Sequence, residues 1–291
     1  MRILLLGADG QVGHELRGPL STFADVTAAG RGTDLGDLDA LQRTLGDAAP
    51  QVIVNAAAYT DVDGAEREPG RAYRVNAEAV AVLGEWARAH GAGLVHLSTD
   101  FVFDGTLERA YREDDATGPV NVYGRSKLEG ERALSALDAP ALVVRTAWVW
   151  SLRRKSFVSA MLRLARERPR LAVVADQVGN PTFCRDLAVA LALVLHRMGE
   201  RAPEALREAR GVYHLAGTGA CTRYDLAAAA IALDPKRAEH VVETIAPIAT
   251  HEYPLPAARP LRTELDCSRF HARFGVALPP WREALARALA G

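Results

Sequence analysis

Lysine is almost missing from this chain. Of its 35 basic residues only Lys127, Lys155 and Lys236 are lysine, and arginine takes every other basic position. Cysteine is scarce as well: Cys184, Cys221 and Cys267 are odd in number and lack CxxC spacing, which excludes a disulfide framework and a cysteine-based zinc site. No His/Cys/Asp cluster has metal-ligand spacing, so no residue is assigned to a metal. A formal net charge of −1 removes the basic excess that a nucleic-acid partner would need. No apolar run approaches the ~18 residues that cross a membrane, so no membrane partner is expected. The opening MRILLLG is too short for a secretory signal and runs straight into glycine, so it reads as a buried strand. These absences point to a soluble, cytoplasmic protein.

What is present is a regular alternation. Short apolar runs at Ile3–Leu6, Val26–Ala29, Val52–Asn55, Leu94–Leu97 and Ala141–Val144 read as strands. Helical patterns lie between them near Gln11–Leu20, Leu38–Leu45, Arg71–His90 and Ser126–Leu137. Such alternation predicts an α/β fold, a Rossmann-type doubly wound parallel sheet with helices on both faces. The pattern weakens after Trp150. Residues 1–150 are therefore expected to form an NAD(P)-binding Rossmann domain. Residues 151–291 are expected to form mainly a smaller mixed α/β substrate-binding lobe, with some segments returning to the sheet.

The first strand runs into GADGQVG, which opens the first helix. A glycine-rich turn between strand and helix cradles a pyrophosphate: Gly7 for the tight turn, Gly10 for backbone approach, Gly13 for close helix packing. Gln11 and Val12 lie within that cradle. The end of the second strand usually carries an acid that holds the ribose of NAD. Here the sequence has Gly30 and Arg31, and a guanidinium suits a 2′-phosphate, so NADPH is the expected cofactor, with NADH left open. Asp34 and Leu35 are placed at the adenine. After the third strand, Ala56, Ala57, Ala58 and Tyr59 are assigned to the cofactor, and Thr60, Val62 and Asp63 to the substrate side. Asn76 reads equally as a helix cap or as a positioner of Lys127 through water.

HLSTDFVFDG and then NVYGRSKLEGE carry the chemistry. Tyr123 and Lys127 stand four apart on a helix, sharing a face, downstream of a strand ending in Ser98-Thr99-Asp100. A lysine here, in a chain that otherwise writes arginine, marks a position needing a compact ammonium. A phenol titrates near 10 unless perturbed. The lysine cation and an oxidised nicotinamide are both expected to lower it, by about three units. Catalytic roles are assigned to Thr99, Tyr123 and Lys127. The substrate is assigned to Thr60, Val62, Thr99, Asp100, Tyr123 and Trp148. His96 reads as a satisfied core histidine, and Trp150 as core at least as readily as stacking surface. Together these residues point to a short-chain-type dehydrogenase/reductase.

Beyond these motifs, VIVNAAAYTDVDGAERE, VVRTAWVW, ADQVGNPTFCRDLA, GVYHLAGTG and ARPLRTELDCSRF complete a resemblance along nearly the whole chain. It resembles the dTDP-4-dehydrorhamnose reductase family of extended short-chain dehydrogenases/reductases. That resemblance implies reduction of the C4 keto group of dTDP-4-dehydro-L-rhamnose by NADPH or NADH in polysaccharide precursor synthesis. It implies that Tyr123 protonates the oxyanion, Thr99 bonds the carbonyl, Lys127 holds the ribose and Trp148 sits beside the sugar. Some members hold magnesium through acids at a dimer interface. Those ligands find no match here, so Mg2+ and a homodimer both stay open. Another dTDP-4-keto-6-deoxy sugar remains an alternative substrate. A non-catalytic NAD(P)-binding regulatory subunit, like that of methionine adenosyltransferase, remains an alternative function. Phe101 after Asp100 argues against a dehydratase, which would carry Asp-Glu after the threonine.

Overall fold

The computed structural model of the chain describes residues 1–30 and 32–291. Arg31, the sequence candidate for a 2′-phosphate, lies outside the described residues. Strands β1 (Arg2–Leu6), β2 (Asp25–Ala29), β3 (Val52–Asn55), β4 (Gly93–Thr99) and β5 (Ala141–Thr146) follow the expected apolar runs. Then come the short β6 (Val149–Trp150), β7 (Arg170–Val174), β8 (Val178–Gly179), β9 (Thr182–Phe183), β10 (Gly211–His214), β11 (Cys221–Thr222) and β12 (Thr244–Ile248). Six of them form one sheet in the order β10-β5-β4-β3-β1-β2, and every pair in it is parallel. The strand order reverses at β1 and β3, and the crevice beyond their carboxyl ends is where such sheets bind ligands.

Burial on both faces explains the near-continuous apolar strands. Ile3, Leu5, Val52, Val54, Val95, Leu142 and Val144 pack into one core. Leu4, Leu6, Ile53, Leu94 and Val143 pack into the other. The first core is covered by α1 (Gln11–Ser21), the second by α2 (Leu38–Ala48). Two short helices, α3 (Val62–Arg67) and α4 (Pro69–Tyr73), lead to α5 (Ala79–His90) and α6 (Val122–Ala136). The long helix expected over Arg71–His90 is interrupted by a π-helical turn at Arg74–Glu78. Helix α6 begins four residues before the expected Ser126, because the Asn121 side chain accepts from Gly124 N at 2.8 Å and caps it.

Beyond β5 lie α7 (Phe157–Glu167), α8 (Cys184–Met198), α9 (Ala202–Glu208), α10 (Arg223–Leu233), α11 (Ser268–Phe274) and α12 (Trp281–Ala290). Helix α8 returns to the first core, where Leu187 and Leu191 join Leu16 and Leu20 of α1. A separate small core joins Ala165 of α7, Leu171 and Val173 of β7, and Ala227 and Ile231 of α10. β12 extends β7 in parallel.

Candidate active site

A cleft of about 1070 Å³ opens along the carboxyl edge of the sheet. It brings together Gly7, Gly10, Gln11, Val12, Asp34, Leu35, Ala56–Ala58, Tyr59, Thr60, Val62, Thr99, Asp100, Tyr123, Lys127 and Trp148. Gly13 is packed beneath: a Cβ there would overlap Gly7 O. Asp63 turns away from the cleft to pair with Arg259 (Oδ2 to Nη2, 2.9 Å), which holds its carboxyl below the usual range.

The glycine-rich turn is shaped to hold a dinucleotide. Gly7 has φ +73°, a conformation that favours glycine, and a Cβ there would lie 2.6 Å from Ala57 N. Among the described residues no side chain caps the N-terminus of α1, whose first residues line the cleft. Gln11 Oε1 is buried with no hydrogen-bond partner among the described residues. One feature escaped the sequence reading. No acid stands directly at the end of β2 in the sequence, yet the carboxylate of Asp9, from the first loop, sits against Gly30, with Arg17 Nη2 at 3.1 Å. Asp9 reaches the end of β2 from the loop after the neighbouring strand β1.

Tyr123 and Lys127 stand on the first turns of α6. Lys127 is 1% exposed. Its Nζ donates to Leu97 O at 2.7 Å and lies 3.2 Å from His96 Nε2. His96 Nδ1 meets Asn55 Nδ2 at 3.0 Å, and Asn55 Oδ1 accepts from Ala57 N at 3.1 Å. Burial pushes the Lys127 ammonium down to about 8, with Glu131 opposing. Burial and the lysine charge hold His96 neutral, well below its usual range.

Tyr123 behaves differently from the expectation. Burial pushes its phenol up to about 12; the Thr99 hydroxyl opposes this, and the Asp100 charge adds to it. Desolvation of the phenolate dominates, and the lysine Nζ is directed at Leu97 O and His96. The phenol is thus protonated throughout the neutral range, which is the form a reduction requires.

Strand alternation separates the two hydroxyls of β4. Thr99 Oγ1 donates to Asp100 Oδ1 at 3.1 Å, on the cleft side. Ser98, read from the sequence as a companion, instead donates to Glu131 Oε1 at 2.5 Å, where Arg145 pairs with the same carboxylate. Asp100 also accepts from Thr263 at 2.5 Å, and burial raises its carboxyl to about 6. Asn76 does not cap a helix. From the π-helical turn its side chain bonds both Tyr59 N (2.9 Å) and Ser126 Oγ (2.9 Å), tying the loop after β3 to α6 beside Lys127. Trp150 is buried and stacked on Phe183 at 4.6 Å. Trp148 adopts φ +45°, with Gly179 packed against its indole and the Arg223 guanidinium 3.5 Å over the ring.

A glycine cradle and a Tyr–Lys helix in one cleft are shared by many reductases, and comparison narrows the choice. A family profile described as the RmlD substrate binding domain matches residues 1–291. A dTDP-4-dehydrorhamnose reductase of Burkholderia thailandensis is 44% identical over 290 residues, 98% of this chain and 97% of that one. The chain belongs to the dTDP-4-dehydrorhamnose reductase family. A member from Escherichia coli K12 is 38% identical over 297 residues, covering 99% of this chain and 97% of its own. The crystal structure of the Bacillus anthracis family member, in complex with NADP, is 31% identical with a TM-score of 0.89, over 99% of this chain and 98% of that one. Thermus thermophilus UDP-glucose 4-epimerase, bound to NAD, shares the fold alone at 19% identity and a TM-score of 0.79, over 100% and 99% of the chains. No helix among the described residues is long and apolar enough to cross a membrane.

Proposed function

We propose that this chain reduces the C4 keto group of dTDP-4-dehydro-L-rhamnose to give dTDP-L-rhamnose, with NADPH as donor and NADH as the alternative. The observation that carries the reading is one cleft holding both the glycine cradle and a protonated Tyr123 flanked by Thr99 and Lys127. Relatives named for this reaction, similar over nearly the full length, support the choice of substrate. Residues 1–150 would carry the cofactor, and residues 151–291 most of the sugar nucleotide, with β10 built into the sheet.

The cofactor supplies a hydride to the sugar C4. The chain's own groups do the rest. Gly7, Gly10 and the N–H groups of α1 hold the pyrophosphate. Lys127, with Nζ on Leu97 O and beside His96 Nε2, offers its remaining donor to the ribose hydroxyls. Tyr123 gives its proton to the carbonyl oxygen as charge develops there. Thr99, now donating to Asp100, reaches the same oxygen by turning its hydroxyl. The test is oxidation of NADPH by the purified chain with this keto sugar: turnover supports the reading, and NADPH binding without turnover contradicts it.

The ammonium of Lys127 sets a pH dependence. Its role needs the charged form, which is present below about 8 and lost above. kcat/KM for NADPH, which reports the free enzyme, should therefore fall as pH rises through about 8. Lys127→Arg should remove that fall up to pH about 10, while lowering activity more than about tenfold, since a planar fork cannot replace a buried point charge. An unchanged rate and an unchanged pH profile in Lys127→Arg would show that position 127 needs only positive charge.

A further inference from the structure

Arg223 opens α10 directly after β11, and pairing of β11 with β8 sets it beside Trp148. Its guanidinium lies 3.5 Å over the Trp148 ring and 5.2 Å from that of Phe157, and it lines the cleft. It has no hydrogen bond or salt bridge from its side chain among the described residues. Burial lowers it only to about 10, so it stays charged at neutral pH. A desolvated cation without an anion is costly. The acids near it are already engaged: both Asp100 oxygens accept from threonines, and Asp63 pairs with Arg259. Arg154 and Lys155, three and two residues before Phe157, line the same cleft.

We propose that Arg223 binds the diphosphate of the nucleotide-sugar substrate, with Arg154 and Lys155 beside it, and that Trp148 backs this guanidinium. Gly179 packs against Trp148 near its Nε1 and Cε2, and the Arg223 guanidinium lies over the ring. A guanidinium held flat on an indole presents its edge donors outward, in the fork that matches phosphate oxygens. The diphosphate is joined to C1 of the sugar, within one ring of the C4 that Tyr123 serves. Asp100, whose charge acts on Arg223, adjoins Thr99 at that centre. The proposal rests on the nucleotide-sugar reading above and adds to it the residue that recognises the anion.

The test is equilibrium binding of dTDP to the full chain, with NADPH binding measured on the same samples. Arg223→Gln should weaken dTDP by at least about thirtyfold, while NADPH affinity stays within about twofold. Arg223→Lys, which keeps charge but loses the fork and the stack, should recover only part of the loss. If wild type binds dTDP and Arg223→Gln binds it equally well, the assignment is overturned alone. If NADPH weakens as much as dTDP, Arg223 serves the cofactor or the fold, which also overturns it. A wild-type chain that binds NADPH but neither binds dTDP nor reduces the keto sugar overturns the nucleotide-sugar reading and this assignment with it.

Discussion

Tyr123→Phe should lower kcat by at least about a hundredfold and leave NADPH affinity nearly intact. A positioned general acid contributes about 10²–10⁴ in rate, and the substitution removes that proton alone. The ring stays where it is, because its edge contact with Phe101 (centroids 5.8 Å apart) uses carbon atoms. A phenol raised to about 12 keeps its proton at every pH of interest, yet a sugar alkoxide is more basic still, so transfer remains downhill. A second consequence separates Tyr123 from Lys127. The fall of kcat/KM near pH 8 belongs to the lysine, so residual activity in Tyr123→Phe should show the same fall. Steady-state kinetics with a fluorescence titration of NADPH checks both. Near-normal turnover in Tyr123→Phe would remove the phenol from the chemistry.

The other large effect is on stability. Arg145→Ala should destabilise the fold by about 3–5 kcal/mol, because it strands a buried carboxylate. Glu131 and Arg145 are each 4% exposed, joined by Nη2–Oε2 at 2.7 Å and Nε–Oε1 at 3.0 Å. Ser98 supplies the remaining bond to Glu131, and the guanidinium lies 5.0 Å from the Phe103 centroid. The pair ties α6 to β4 and β5, and α6 carries both Tyr123 and Lys127. The double variant Glu131→Leu with Arg145→Met should recover most of the loss, since apolar replacements of a buried pair are often neutral or better. Urea midpoints at constant m-value measure this. A loss under about 1 kcal/mol in Arg145→Ala would mean that the carboxylate is not stranded.

The features legible in the sequence share a cause: they depend on neighbours along the chain. The strands β1 to β5 are apolar because both sheet faces are covered, and the glycine turn and the Tyr123–Lys127 spacing are local geometry. What escaped depends on distant partners. Asp9 reaches the end of β2 from the loop after β1. A return of some segment to the sheet is expected from the sequence, but which one is not: β10 joins the edge beside β5 from some 65 residues farther on, and its few residues GVYH carry no strand pattern of their own. Ser98 was grouped with Thr99 although period-2 alternation sends adjacent strand residues to opposite faces. Asn76 lies on a π-helical turn that no periodicity announces. Arg223 is one arginine among many, and only its place over Trp148 distinguishes it. The phenol's rise to about 12 required knowing how deeply it is buried and that Lys127 turns to Leu97 O and His96.

The central claim is transfer of a hydride from the nicotinamide to the sugar carbonyl, with the proton coming from the protein. It is tested most directly by turning over dTDP-4-dehydro-L-rhamnose with NADPH carrying deuterium at the transferable position of its nicotinamide C4, and locating the label by NMR. The account predicts one deuterium on C4 of the product sugar, in the rhamnose configuration, with the hydroxyl proton exchanged from water. Unlabelled C4, or label at any other carbon, would contradict it.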